Sequence, residues 1–397
     1  MAKITAGIGC SHVPAIGAAF DQGLTQEPYW KPLFDGFEPA RDWIRKHKPD
    51  VAILVYNDHG SALTLEMIPT LAIGVADEFK PADEGWGPRQ VPVVKGHSAL
   101  AWHLAETQII NEFDMCVLNT LDVDHGLTVP LNITCGKVDE WPFAVIPIPI
   151  NVVMFPIPTG DRCWRMGEVI RKAVEAFPED LNVVVFGTGG MSHQIHGERS
   201  GMINRDFDTA FLNDLTRNPQ RLRHIKHEEY TTLAGAEGIE MVMWMVMRAA
   251  LGDNKVREVY RHYHVPASNT AAGLIILEND DLHNPKPAGK ARAARPKAKT
   301  KAKAKAPATA RPGRKGKVPA KKAVLKKAIV KKAVVKKAVV KKAVVKKATG
   351  KPSRGSKAAT SKAKVAAPRK TVKVAKKVPS KKPAARKSAA RGSARKR

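Results

Sequence analysis

The 397-residue sequence has few cysteines and no long uninterrupted apolar run. The four cysteines stand singly, at Cys10, Cys116, Cys135 and Cys163. A chain of this size can bury a core large enough to be stable without disulfides, so this usage indicates a reducing, cytoplasmic compartment. The longest apolar stretch, 143–159, contains four prolines, which argues against a membrane helix there. The apolar run at 4–10 is too short for a signal peptide.

Acidic residues are absent from 286–397, where 43 of the 67 lysines and arginines lie. The remaining 24 basic residues face 37 acidic ones, so residues 1–285 carry a formal charge of −13 and the tail +43. The tail also has none of the 7 Trp, 5 Tyr and 11 Phe. Such a segment cannot bury enough apolar surface to offset the entropy of ordering. We predict a globular domain at 1–285 and a disordered tail at 286–397.

The tail repeats a Lys-Lys-Ala-Val-Val unit between residues 321 and 350. Each lysine pair would turn by about 140° from the last on a helix, which leaves no apolar stripe for a membrane surface. The composition resembles the tails of histone-H1-like bacterial proteins. Its charge predicts non-specific, salt-dependent binding of DNA, RNA or polyphosphate. A solvated tail without a dedicated partner is the alternative.

Residues 1–285 alternate between β-rich apolar runs and segments with helical spacing. The strand candidates are 4–8, 51–56, 71–75, 115–118, 144–150, 183–186 and 273–277. The helix candidates are 38–47, 98–112, 162–176, 204–216 and 235–251. This pattern predicts an α/β fold in which helices cover both faces of a mixed or parallel central sheet. Ligand sites of such sheets lie beyond the carboxyl ends of the strands.

Four of the strand candidates lead into a histidine. His12, His59, His125 and His193 follow these runs, each beside Gly, Asp, Asn or Ser. A single histidine of this kind is more often a capping or core residue, whereas four together favour a shared site. His196 and His97 are treated as structural or solvated, and His262 and His264 are left out of the site.

Glu240 is the carboxylate candidate because it precedes an almost wholly apolar run, 241–250, where a buried acid needs a partner. Imidazoles and one carboxylate with open coordination positions are typical of non-haem Fe(II). Zinc hydrolases use the same ligand types, so the residues alone leave the metal open.

Short motifs in this order resemble the class III extradiol ring-cleavage dioxygenases, most closely the catalytic β subunit of the protocatechuate 4,5-dioxygenase type. They are Ser11-His12-Val13-Pro14, Asn57-Asp58-His59, Asp124-His125-Gly126, Gly187-Thr188-Gly189-Gly190-Met191-Ser192-His193-Gln194, Gly238-Ile239-Glu240 and Tyr263-His264-Val265-Pro266-Ala267-Ser268-Asn269. The resemblance implies Fe(II) held by His12, His59 and Glu240. It implies His193 as the base, His125 as a further active-site histidine, and Ser268 with Asn269 at the ring carboxylate of the substrate.

The resemblance also implies a reaction and partners. Both atoms of O₂ would enter a carboxylated catechol, such as protocatechuate or gallate, to give a ring-opened semialdehyde acid. A separate small α subunit would cover the site in a hetero-oligomer, with a homodimer as the alternative. The competing hypothesis is a nucleoid-associated DNA-binding protein whose dioxygenase-like domain has been repurposed; a zinc hydrolase is the third.

Overall fold

The computed structural model describes residues 1–252 and 256–279, so the tail predicted at 286–397 lies outside the described residues. The strands of the described part are β1 (Lys3–Cys10), β2 (Val51–Tyr56), β3 (Ala72–Gly74), β4 (Glu78–Phe79), β5 (Val94–Lys95), β6 (Cys116–Leu118), β7 (Ala144–Pro149), β8 (Asn182–Thr188), β9 (Val256–Ala267) and β10 (Thr270–Asn279). Six of them form the central sheet in the order β7-β2-β8-β1-β10-β9. The first four run parallel, and β10 and β9 join antiparallel.

Helices cover both faces of this sheet. They are α1 (Pro14–Asp21), α2 (Lys31–His47), α3 (Ser98–Ile110), α4 (His125–Cys135), α5 (Gly160–Ala176), α6 (Arg205–Arg217), α7 (Pro219–Leu222), α8 (His227–Ala234) and α9 (Met243–Ala250), with 3-10 helices at Leu24–Gln26 and Glu237–Val242. Alternate residues of β2 pack into two cores. One core also contains α3, α5 and α9, and the other contains α1, α2 and α4. The predicted α/β architecture is confirmed.

Helix α9 packs close to the sheet because strands β1 and β8 carry glycines where they face it. A Cβ at Gly9 would lie 2.4 Å from the ring of Trp244, and a Cβ at Gly187 would lie 2.8 Å from the Cα of Trp244. Trp244 itself is fully buried. The close approach brings the 3-10 helix before α9, which carries Glu240, to the carboxyl ends of β1 and β8.

Some elements differ from the sequence-based expectation. The runs at 71–75 and 115–118 form strands β3 and β6, but these pair with each other in a separate two-stranded sheet. Helices α1 and α4 were not predicted, and α2 begins at Lys31, seven residues before the predicted start. No helix in residues 1–252 or 256–279 has the length and apolar character that a membrane crossing requires.

Candidate active site and metal centre

The predicted site residues meet beyond the carboxyl ends of the parallel strands. His12 lies two residues after β1, His59 three residues after β2 and His193 five residues after β8, while His125 is the first residue of α4. Glu240 reaches the same place from the 3-10 helix Glu237–Val242. A cavity of about 530 Å³ is lined by all seven predicted residues: His12, His59, His125, His193, Glu240, Ser268 and Asn269.

Three of these side chains surround a single point. The donor atoms of His12, His59 and Glu240 all lie within 4.8 Å of one another. Glu240 Oε2 is 3.3 Å from His12 Nε2, and its Oε1 is 3.7 Å from His59 Nε2. The carboxylate therefore faces the outer nitrogen of both imidazoles, which is the arrangement that a divalent metal requires.

The hydrogen bonds behind the two imidazoles fit a metal site. His59 Nδ1 lies 2.9 Å from Asp124 Oδ2, and because a carboxylate only accepts, Nδ1 carries the proton. His12 Nδ1 lies 3.0 Å from Thr188 Oγ1, whose own hydroxyl is 3.4 Å from Gly126 O. His12 Nε2 is buried and makes no hydrogen bond within the described residues. Such outer partners fix the tautomer of metal-ligating histidines.

Two of the three residues, Glu240 and His12, are held in the protonation state that metal ligation needs. Burial opposes ionisation of Glu240, but the neighbouring imidazoles outweigh burial and hold the pKa of this carboxyl well below its usual value. Burial lowers the pKa of His12 despite the opposing charge of Glu240, which favours the neutral ring. Burial also acts on His59, but the Asp124 and Glu240 carboxylates outweigh it and raise its pKa to about 10. A metal would therefore displace a proton from His59.

The turn after β8 holds the Glu240 carboxylate. The backbone N–H of Gly190 donates to Glu240 Oε2 at 2.6 Å. Gly189 has a φ of +131°, and a Cβ there would lie 2.7 Å from the Cβ of Glu240. Only glycine combines that backbone angle with that approach. The glycine-rich turn thus serves to seat the carboxylate.

His193 is oriented by the backbone around it. Its Nδ1 lies 2.9 Å from Met191 O, and because a carbonyl only accepts, this nitrogen carries the proton and Nε2 is free to accept one. Nε2 lies 3.9 Å from Glu240 Oε2. The segment is anchored by the His193 N–H, which donates to Ala234 O at 2.8 Å, and by a bridge between His193 and Thr270.

His125 and the turn between β9 and β10 complete the cavity wall. The ring of His125 stacks on that of His59 with a centroid distance of 3.9 Å. Its Nδ1 makes a short hydrogen bond with Glu84. Ser268 has a φ of +60°, and its N–H donates to the hydroxyl of Tyr29 at 3.0 Å. Ser268 is exposed and Asn269 is half-buried, so both can meet a ligand that enters from solvent.

Sequence reasoning missed the residues that hold the site together. Asp124 stood beside His125 in a quoted motif and Thr188 stood beside the glycine turn, yet neither was given a role. Glu84 lies in a loop with no motif, and no signal in the sequence pointed to it. His196, treated as structural or solvated, also lines the cavity. His59, Asp124 and His125 form a second cluster of potential ligands, but Asp124 is already bonded to His59.

Comparisons with known proteins give a consistent result. Residues 6–273 match the family described as the catalytic LigB subunit of aromatic ring-opening dioxygenase. A gallate dioxygenase from Pseudomonas putida is 40% identical over 53% of this chain and 61% of its own length. A 2,3-dihydroxyphenylpropionate/2,3-dihydroxicinnamic acid 1,2-dioxygenase from Photorhabdus laumondii is 26% identical over 67% of this chain and 94% of its own length. The match therefore spans about three fifths of the first relative.

Proposed function

Because the chain belongs to the LigB family of catalytic subunits of aromatic ring-opening dioxygenases, we propose that it is a non-haem Fe(II) extradiol dioxygenase for carboxylated catechols. Membership makes it an enzyme of the ring-cleaving type. The observation that carries the finer proposal is the convergence of His12, His59 and Glu240, whose donor atoms lie within 4.8 Å of one another. Three further histidines, His125, His193 and His196, line the same cavity.

We infer that His12, His59 and Glu240 hold the metal. Bound there, Fe(II) would supply a Lewis-acidic, redox-active centre with positions open to a diol and to dioxygen. The protein keeps both imidazoles in the required tautomer through Thr188 and Asp124. Glu240 is held ionised and in place by the Gly190 N–H.

His193 is suited to take a proton from a catechol hydroxyl. Its Nε2 carries the free lone pair, since Nδ1–H is engaged by Met191 O, and the ring lies on the wall of the same cavity as the triad. An imidazole exchanges protons readily near neutral pH, so it can accept the hydroxyl proton and return it later in the cycle. Nε2 lies 3.9 Å from Glu240 Oε2, so the proposed base stands beside a proposed metal ligand.

The remaining cavity wall orients the substrate and excludes water. Ser268 and Asn269 supply polar groups for a ring carboxylate at the exposed end. Apolar side chains, among them Val13, Val152 and Ile239, line the same cavity and suit the flat face of an aromatic ring. His125 would direct a polar contact to the reacting oxygens.

Protocatechuate and gallate are the proposed substrates. Both carry a ring carboxylate across from a pair of vicinal hydroxyls, and the cavity offers the Ser268–Asn269 turn for the first group and the metal ligands for the second. The similarity to a gallate dioxygenase supports including gallate beside protocatechuate. The alternative substrate is a catechol with a longer acidic side chain, as the name of the 26% identical relative suggests. 2,3-Dihydroxyphenylpropionate, whose carboxylate ends a propionate chain, tests this alternative.

The decisive experiment reconstitutes the full chain anaerobically with Fe(II), adds each catechol and then air, and follows oxygen uptake together with product absorbance. We expect one O₂ consumed per protocatechuate or gallate, and none with Zn(II) in place of Fe(II). Turnover with Zn(II) alone would support the hydrolase hypothesis instead. Glu240→Gln should lose iron and activity, whereas Glu229→Gln, which changes an exposed acid on α8, should retain both.

We also propose that a separate small subunit covers the cavity mouth. An apolar, exposed rim adjoins the cavity, with Phe155 83% and Leu65 71% accessible. We define this rim as Leu65, Met67, Ile68, Val153, Met154, Phe155 and Ile195. Val153 and Ile195 line the catalytic cavity, and Val153 also lines an adjoining 330 Å³ cavity with Leu65 and His59. Sedimentation of the full chain tests this proposal. A concentration-dependent dimer abolished by Leu65→Ser would show that a second copy covers the rim instead.

For the tail, which lies outside the described residues, we propose non-specific binding of polyanions. The support is the excess of 43 basic residues without one acid. The full chain should retard DNA fragments of any sequence at low salt and release them as salt rises, and a version ending at residue 285 should not. Equal retardation by both versions would contradict the proposal.

A further inference from the structure

Glu84 holds His125 through two atoms. Its Oε1 accepts the backbone N–H of His125 at 2.9 Å, and its Oε2 makes a short hydrogen bond with Nδ1 of the same residue. The two side chains are each only 10% accessible. A carboxylate that is hydrogen-bonded to both the backbone N–H and the ring of one residue restricts the rotation of that ring more than a single hydrogen bond would.

The loop that carries Glu84 is itself anchored. Ala82 and Val123 are joined by a hydrogen bond of 2.9 Å, and the Val123 N–H donates to Lys80 O at 2.8 Å. On the other side of Glu84, the loop turns back on itself: the N–H groups of Gly85 and Gly87 both donate to the carboxylate of Asp83. The Glu84 carboxylate is thereby delivered to the first turn of α4, where free N–H groups favour a negative charge.

We propose that Glu84 is a positioning residue that sets the orientation and tautomer of His125 in the catalytic cavity. Because a carboxylate only accepts, Nδ1 must carry the proton, and Nε2 is the ring nitrogen that Glu84 does not engage. His125 lines the cavity. The ring is also stacked at 3.9 Å on the proposed metal ligand His59, so a rotated His125 would alter the wall beside the metal. This inference rests on the proposed function.

A purely structural role for Glu84 is disfavoured by the neighbouring contacts. Asp124 already caps α4, since its Oδ1 accepts the Gly126 N–H at 2.9 Å, so the helix start does not depend on Glu84. Asp124 also holds His59 independently. Loss of Glu84 should therefore leave folding and iron retention intact while it frees the ring of His125.

The tautomer of His125 can be read without turnover. In metal-free full-length protein labelled with ¹⁵N-histidine, two-bond ¹H–¹⁵N correlation should place the His125 proton on Nδ1. In Glu84→Ala we expect a mixture in which Nε2–H predominates, and in Glu84→Gln an intermediate pattern, because an amide has one acceptor oxygen for two donors. Glu140→Gln, which removes an exposed acid paired with Lys95, is the matched control and should leave the pattern unchanged. An unaltered His125 tautomer in Glu84→Ala overturns the proposal.

A double-mutant cycle with the iron-loaded enzyme tests whether Glu84 acts through His125. Glu84→Ala should lower kcat/KM by roughly 10–100-fold, with iron content equal to wild type. In a His125→Ala background the same substitution should change kcat/KM by less than about twofold, because the group it positions is gone. An equal loss in both backgrounds overturns the inference. Absence of ring opening in the wild type would refute the proposed function, and the tautomer measurement would still decide the role of Glu84.

Discussion

Thr188→Val is the sharpest test of the metal site because it removes one hydroxyl and little else. Thr188 ends β8 with a fully buried side chain, and its Oγ1 accepts from His12 Nδ1 at 3.0 Å. Valine has nearly the same shape, so the packing of the strand end is kept. The substitution leaves the Nδ1–H of His12 buried without an acceptor and frees the ring to turn.

The expected magnitude follows from two independent considerations. A buried donor left without its partner costs about 1–3 kcal/mol. Loss of an outer hydrogen bond to a metal-ligating histidine costs about 10–100-fold in metal affinity, which corresponds to about 1.4–2.7 kcal/mol. We therefore expect the dissociation constant for Fe(II) to rise by about 10–100-fold.

Anaerobic competition against a chromophoric chelator measures this change on the full chain. Thr188→Ser is the matched control: it keeps the hydroxyl, loses the methyl group, and should bind iron within about threefold of wild type. If valine and serine variants both bind iron as the wild type does, the hydroxyl does not orient His12, and the reasoning about the site is refuted.

Three further predictions concern two buried positions, Asp208 and Gly189, and the effect of Fe(II) on stability. Asp208 accepts three hydrogen bonds in the core, so Asp208→Ala should lower the free energy of unfolding, measured in urea, by about 3 kcal/mol. Asp206→Ala, at an exposed position of the same helix, should change it by less than about 0.5 kcal/mol. Equal effects of the two substitutions would contradict the hydrogen-bond account. Gly189→Ala introduces a Cβ 2.7 Å from that of Glu240 at a φ of +131° and should cost about 1–3 kcal/mol in stability and weaken iron binding; unchanged chelator competition would refute the close approach. Fe(II) at 100 times its dissociation constant should stabilise metal-free protein by about 2.7 kcal/mol, or about 5–10 °C in Tm by calorimetry, and no shift would mean that the folded chain does not bind the ion.

Five of the six strands of the central sheet could be predicted from the sequence because they are apolar and buried on both faces. The edge strand β9 (Val256–Ala267) was not predicted, since most of its residues are exposed or half-buried. Val51–Tyr56 is apolar at every position, and the structure begins and ends β2 at those residues. Helices containing proline were harder to predict. Pro39 lies inside α2 and Pro130 inside α4, and a proline in a helical pattern usually marks a boundary. The start of α2 was therefore placed too late, and α4 was missed.

The site was predictable only where a motif carried it. His12, His59 and Glu240 stand in short motifs, and the structure gathers them around one point. The pairing of Glu84 with His125 depends on a loop 41 residues away in sequence, and no local pattern encodes such a contact. Periodicity and motif spacing report on neighbours along the chain, whereas the partner of a buried polar group is set by tertiary packing.

The central place of β1 has a consequence for biosynthesis. This strand lies between β8 and β10, so residues made first cannot complete their pairing until residues near 279 have been made. During synthesis β1 therefore keeps one unpaired edge until β10 has been made, and an unpaired strand edge is a template for non-native pairing.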